Sequence, residues 1–147
     1  MTDYKKVFLD TTPLIYFLDE DIHFGEKTKD ILEEILSDGK EMISSVLTCM
    51  EYMVYPYRVG NQEKIEVFHE FVDDNDIKLI PISAEIAHKA AQIRAGYKDF
   101  KAMDSLQLAA ADLAGCDVFL TNDNQLKQYK EIKCITVEEW QLKEEKE

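Results

Sequence analysis

The sequence predicts an α/β fold: a three-layer α/β/α sandwich around a parallel sheet of about five strands. Three observations predict it. Short apolar segments alternate along the whole chain with longer segments of helical period. Several of the short segments, Val7-Phe8-Leu9 and Val118-Phe119-Leu120 among them, are apolar at every position, as in strands covered on both faces. No Gly/Ser-rich linker and no internal repeat divides the 147 residues, a length that suits one hydrophobic core.

Residues 4–9 make the first predicted strand, ending at Asp10. A helix follows, with Thr12 as its cap and Pro13 at its first position, where a missing N–H costs nothing. Residues 25–36 carry Ile31, Leu32, Ile35 and Leu36 on one helical face, and Gly39 stops that helix. The second strand is 41–46. Ser44 or Ser45 caps the helix over 47–55, which Pro56 interrupts. Residues 61–72 form an amphipathic helix on Ile65, Phe68 and Val72. A third strand, 77–82, leads to Ser83, the cap of a helix reaching Arg94. An alanine-rich helix over 104–114 ends at Gly115, and a fourth strand covers 117–121. A short helix, 124–129, precedes the last strand, 133–137. Residues 1–142 are expected to form a single domain, and the charge-only stretch 143–147 a frayed tail.

Composition narrows the function classes. No apolar run approaches the twenty or so residues needed to cross a bilayer, and the first residues carry no secretory pattern, so the cytosol is the expected compartment. Cys49, Cys116 and Cys134 are odd in number and far apart, which speaks for buried or half-buried thiols rather than a disulfide framework or zinc site. His23, His69 and His88 lie in helical patterns without ligand spacing. No glycine-rich phosphate loop follows the first strand, which disfavours a nucleotide site. The balance of 17 Lys plus Arg against 30 Asp plus Glu, a net charge of -13, works against non-specific nucleic-acid binding unless a cation or a basic partner supplies positive charge.

Four carboxylates stand out by position. Ligands of open parallel sheets bind beyond the carboxyl ends of the strands. Asp10 ends the first strand, Asp123 lies two residues past the fourth, and Glu51 sits one to two turns into the helix after the second. Asp104 opens the alanine-rich helix and joins the others if that helix begins at the same edge. Each also has a plain reading: Asp10 as a turn residue, Glu51 as a solvated face residue, Asp123 as a helix-dipole partner, and Asp104 as the start of a capping box with Gln107. Four acids in one crevice repel one another unless a hard divalent cation sits among them, and magnesium and manganese take such oxygen ligands. Such a cation activates water and steadies charge on a phosphoryl group, so the implied chemistry is metal-assisted phosphodiester hydrolysis.

These segments resemble the PIN domain family. Val7-Phe8-Leu9-Asp10-Thr11-Thr12 is similar to its opening motif, Thr48-Cys49-Met50-Glu51-Tyr52 to its Glu-bearing helix, and Met103-Asp104-Ser105-Leu106-Gln107 to its Asp-initiated helix. Phe119-Leu120-Thr121-Asn122-Asp123 is similar to its final strand and turn, and the likeness runs from about Val7 to Trp140. The size looks most like the VapC-type toxins of prokaryotic toxin–antitoxin pairs. The resemblance implies a Mg2+- or Mn2+-dependent endoribonuclease, commonly a homodimer, with RNA as substrate and a cognate antitoxin as partner. It implies that Asp10, Glu51, Asp104 and Asp123 are the catalytic, metal-holding residues, with Thr121 and Thr11 orienting a carboxylate or water. Arg58, Arg94, Lys98 and Lys101 are basic residues near this predicted site, available to phosphate or to solvent. A receiver domain or a haloacid-dehalogenase-type phosphatase wants further acids where Thr11 and Thr12 stand. The stronger alternative is a non-catalytic PIN-like module that binds RNA or protein.

Overall fold

Five parallel strands hydrogen-bond side by side in the computed structural model, which describes residues 4–143. They are β1 (Lys6–Leu9), β2 (Glu41–Ser45), β3 (Lys78–Ile80), β4 (Val118–Thr121) and β5 (Lys133–Thr136), in the spatial order β3-β2-β1-β4-β5. The helices are α1 (Thr11–Leu18), α2 (Gly25–Ser37), α3 (Val46–Arg58), α4 (Gln62–Asp74), α5 (Ala84–Gly96) and α6 (Ala102–Leu113), and a 3-10 turn covers Asn124–Gln128.

Strand alternation makes the three layers. Side chains along a strand point to opposite faces. Val7, Leu9, Val118 and Leu120 therefore pack with Leu14, Ile31, Ile35 and Phe68 from the helices of one face. Phe8 and Phe119, stacked at 5.1 Å, pack with Ile86, Ile93 and Leu108 of α5 and α6 on the other. The predicted all-apolar strands thus have cores on both sides. None of the described helices is long and apolar enough to cross a membrane.

The sheet order also locates the crevice. The chain steps outward from β1 to β2 and β3, then returns to β1's other side for β4 and β5. Connections therefore leave β1 and β4 in opposite directions, which opens a gap beyond their carboxyl ends. Asp10 continues the β1–β4 ladder by one bond, donating its N–H to the Leu120 carbonyl at 3.0 Å.

Helix boundaries differ from expectation in three informative places. α1 starts at Thr11, and its cap is Asp10, whose carboxylate accepts the Thr11 N–H at 2.9 Å. Pro13 lies deeper in the first turn, where the N–H groups still lack intrahelical acceptors, so the ring remains free of cost. α3 runs through Pro56 to Arg58, because a proline this close to the end removes a single ladder bond. α6 starts at Ala102, so Asp104 falls within its first turn instead of opening it. Gly39 stops α2 as expected, adopting φ 69° just past the Asp38 cap. Of the predicted tail, 143–147, all but Lys143 lies outside the described residues. Lys143 donates its backbone N–H to Glu34 at 2.7 Å and its ammonium to Asp38 at 2.8 Å.

Candidate active site

The gap between β1 and β4 holds a pocket of about 200 Å³, and Asp10, Glu51, Asp104 and Asp123 all line it. Asp10 arrives at the end of β1. Two donors hold its carboxylate: the Thr121 hydroxyl at 2.8 Å on one oxygen and the Thr11 N–H on the other. Burial raises its pKa to about 6 against those two bonds, and the charges of Asp104 and Glu51 push the same way. Thr121 also accepts the Asp123 N–H at 3.1 Å, so one hydroxyl ties together the ends of β1 and β4. Asp123 caps the turn that follows, accepting from the Gln125 N–H at 3.0 Å.

Glu51 is exposed, in the second turn of α3. The Thr11 hydroxyl donates to its Oε1 at 2.7 Å. Asp104 accepts the Lys101 N–H at 3.2 Å, which is the back-reaching half of a capping box. Burial raises its pKa, the Lys101 N–H opposes this, and the Asp123 charge adds to it. Capping by Asp104 therefore engages one of its oxygens and leaves the carboxylate in the pocket wall.

The expected box partner, Gln107, turns elsewhere. Its amide donates to the Thr48 hydroxyl at 2.9 Å and accepts from the Ser45 hydroxyl. Thr48 lies 3.2 Å from the Thr11 hydroxyl, and Ser44 donates to the Leu9 carbonyl at 2.7 Å. Ser44, Ser45, Thr48 and Gln107 are all buried. They form a polar floor that joins α6 to α3 and passes through Thr11 to Glu51. Sequence reading missed this floor, because serines near a helix start look like caps; only Ser45 caps, accepting the Leu47 N–H at 3.1 Å. Gln107→Leu should leave the Thr48 and Ser45 hydroxyls poorly paired and cost about 2 kcal/mol. Thermal denaturation should show a midpoint lower by about 4–8 °C; an unchanged midpoint would show that the floor carries no stability.

No Lys or Arg lines the pocket, Arg58, Arg94, Lys98 and Lys101 included. The three histidines are exposed and outside it, and His23 lies in the turn before α2 rather than in a helix. The cysteines are free; burial pushes the Cys116 and Cys134 thiols up to about 12. An anionic lining rich in carboxylate and hydroxyl oxygens, with no internal cation, fits a hard divalent ion in its chemistry. As they stand, however, no three described His, Cys, Asp or Glu side chains converge closely enough to hold one. Like charges keep apart, and the hydrogen bonds above hold each acid at its own wall.

A PIN domain family model matches residues 7–132. The chain belongs to the PIN domain family. Solved structures agree on the fold. A toxin–antitoxin complex from Klebsiella pneumoniae is 23% identical, with a TM-score of 0.68 over 89% of this chain and 97% of that one. DNA-bound VapBC from Salmonella typhimurium is 19% identical, with a TM-score of 0.73 over 90% and 98%. The sarcin–ricin-loop-cleaving toxin VapC20 of Mycobacterium tuberculosis is 11% identical, with a TM-score of 0.66 over 84% and 95%. No curated protein matches significantly in sequence. In this PIN domain the four acids expected from the resemblance line one pocket, and both threonines expected to orient a carboxylate donate to one, Thr121 to Asp10 and Thr11 to Glu51.

Proposed function

We propose that this PIN domain is a metal-dependent endoribonuclease, the toxin of a toxin–antitoxin pair, acting in the cytosol. The observation that carries the reading is the convergence of Asp10, Glu51, Asp104 and Asp123 on one pocket without a cation of its own. The structural neighbours add weight: one comes from a toxin–antitoxin complex, one from a DNA-bound VapBC complex, and one is a sarcin–ricin-loop-cleaving toxin. Three free thiols suit a reducing compartment.

In this reading the four carboxylates hold Mg2+ or Mn2+. When bound, the ion would polarise a water and offset the charge that builds on the phosphoryl group. The chain's own residues supply orientation. Thr121 and the Thr11 N–H each donate to one oxygen of Asp10, so each oxygen keeps a lone pair for the ion. The Thr11 hydroxyl fixes Oε1 of Glu51, so that Oε2 is left to orient the attacking water and take up its proton. Exposed Val46, Met50, Val54 and Tyr57 recur at helical spacing along α3 beside Glu51. That apolar stripe supports a protein partner at the rim, an antitoxin or a second copy.

Metal withdrawal tests the reading. Purified protein should cleave RNA with added Mg2+ or Mn2+ and lose at least about a hundredfold in rate with chelator, regaining it when the ion is restored, as followed on gels of labelled RNA. A non-catalytic module would bind RNA or protein equally well with chelator and cleave at no ion concentration.

A further inference from the structure

Glu51 is an exposed, flexible side chain, and such a group keeps one conformation only if a partner fixes it. The partner is the Thr11 hydroxyl, 2.7 Å from Oε1. Behind Thr11 the chemistry is buried: Ser44, Ser45, Thr48 and Gln107 are each at most 2% exposed.

Counting hydrogens sets the direction of the bonds in this group. A carboxylate only accepts, so the single Thr11 hydroxyl hydrogen goes to Glu51. The Thr11 oxygen can then only accept from Thr48, 3.2 Å away. Thr48 itself is approached by two donors. The Gln107 amide lies at 2.9 Å, and Ser44, which shares its hydrogen with the Leu9 carbonyl, lies at 2.9 Å as well. The Thr48 hydrogen is therefore free for Thr11. At the far end the Gln107 oxygen accepts from Ser45, whose own oxygen accepts the Leu47 N–H. Turning the amide over would draw the Thr48 hydrogen away from Thr11 and take from Ser45 the acceptor of its hydrogen. One unbroken run of donors thus leads from Nε2 of Gln107 through Thr48 and Thr11 to Oε1 of Glu51. Hydrogen bonds that run in one direction polarise and strengthen one another.

We propose that Gln107 is a positioning residue for Glu51, holding its carboxylate at the pocket wall through Thr48 and Thr11. Without the Gln107 donor the Thr48 hydroxyl can rotate, and Thr11 loses the partner that aims its hydrogen at Glu51. Gln107 follows Asp104 by less than one turn of α6, so the helix that brings one carboxylate to the pocket also steadies another. The proposal rests on the nuclease reading only for what Glu51 does once held; the holding itself is measurable without metal or RNA.

The experiment has two arms, both on the full-length chain. In chelator, three-bond NMR couplings should report one dominant Glu51 χ1 rotamer in wild type and rotamer averaging in Gln107→Leu and in Thr48→Val. Thr48→Val keeps the side chain's shape and breaks the run at its middle, so it carries this arm if Gln107→Leu fails to fold. The second arm follows cleavage of a labelled RNA oligonucleotide with Mn2+. Gln107→Leu should lower kcat about tenfold with KM unchanged. Thr11→Val should lose at least as much, and adding Gln107→Leu to it should cost nothing further. A role confined to packing would cost the same in both backgrounds. An averaged Glu51 in wild type, an unchanged rotamer in the variants, or additive losses in the Thr11→Val, Gln107→Leu double variant each overturn the proposal. If the rotamer changes as expected while wild-type protein cleaves without a divalent ion, or cleaves no RNA, the nuclease reading fails and the positioning stands.

Discussion

Asp10→Asn is expected to silence cleavage and, in the absence of metal, to make the protein more stable. The two effects have one cause. Burial holds the Asp10 carboxyl at about 6 instead of its ordinary 3.8, so the folded state binds that proton more tightly than the unfolded chain does. A pKa raised on folding contributes stability that is fully present below the ordinary value and is lost as pH rises through about 6. At pH 7.5 the metal-free fold therefore carries an ionised, poorly solvated carboxylate, at a cost of at most about 3 kcal/mol. Asn keeps the shape, can accept from the Thr11 N–H and can donate to the Thr121 hydroxyl, without the charge. Chelated Asp10→Asn protein should melt above chelated wild type at pH 7.5, by up to about 10 °C, and the gap should close toward pH 4. Cleavage should fall at least about a thousandfold, equivalent to about 4 kcal/mol of transition-state stabilisation. A variant that cuts RNA at the wild-type rate, or that melts lower at neutral pH, would contradict the assignment.

Trp140→Ala should be the most damaging core substitution outside the pocket, at about 3–5 kcal/mol. The family match ends at residue 132, yet Trp140 is only 1% exposed and closes one face of the sheet. Its ring meets Tyr4 edge-on at 5.6 Å, and its indole N–H donates to Glu34 at 2.9 Å. Removing it opens a cavity between Tyr4 and the last strand, and it strips Glu34 of one of its two donors. Urea denaturation should show the loss directly. Trp140→Phe keeps most of the volume and should cost about 1 kcal/mol. A loss below about 1 kcal/mol in Trp140→Ala would mean that the segment after residue 132 rests on the domain without belonging to its core.

Much of this molecule was legible from local patterns. Ser83 caps α5 as expected, accepting the Ile86 N–H at 3.2 Å, and every predicted strand is present, though β3 shrinks to Lys78–Ile80. Helix starts proved harder. Asp10 and Thr12 are both capping types, and only the extended backbone at Asp10, ψ 166°, decides between them.

The carboxylates divide along the same line. Strand and helix periods, read along the chain, were enough to put Asp10, Glu51 and Asp123 at one edge of a parallel sheet, because period and strand ends are local properties. Asp104 was not decidable that way: a cap and a pocket residue share the same local pattern. The order β3-β2-β1-β4-β5 decided it, by placing the α6 start against β2 and α3, where Gln107 meets Ser45 and Thr48. The polar floor under Glu51 likewise joins residues far apart in the chain. Such contacts depend on how the layers pack, and no window of neighbouring residues carries that information.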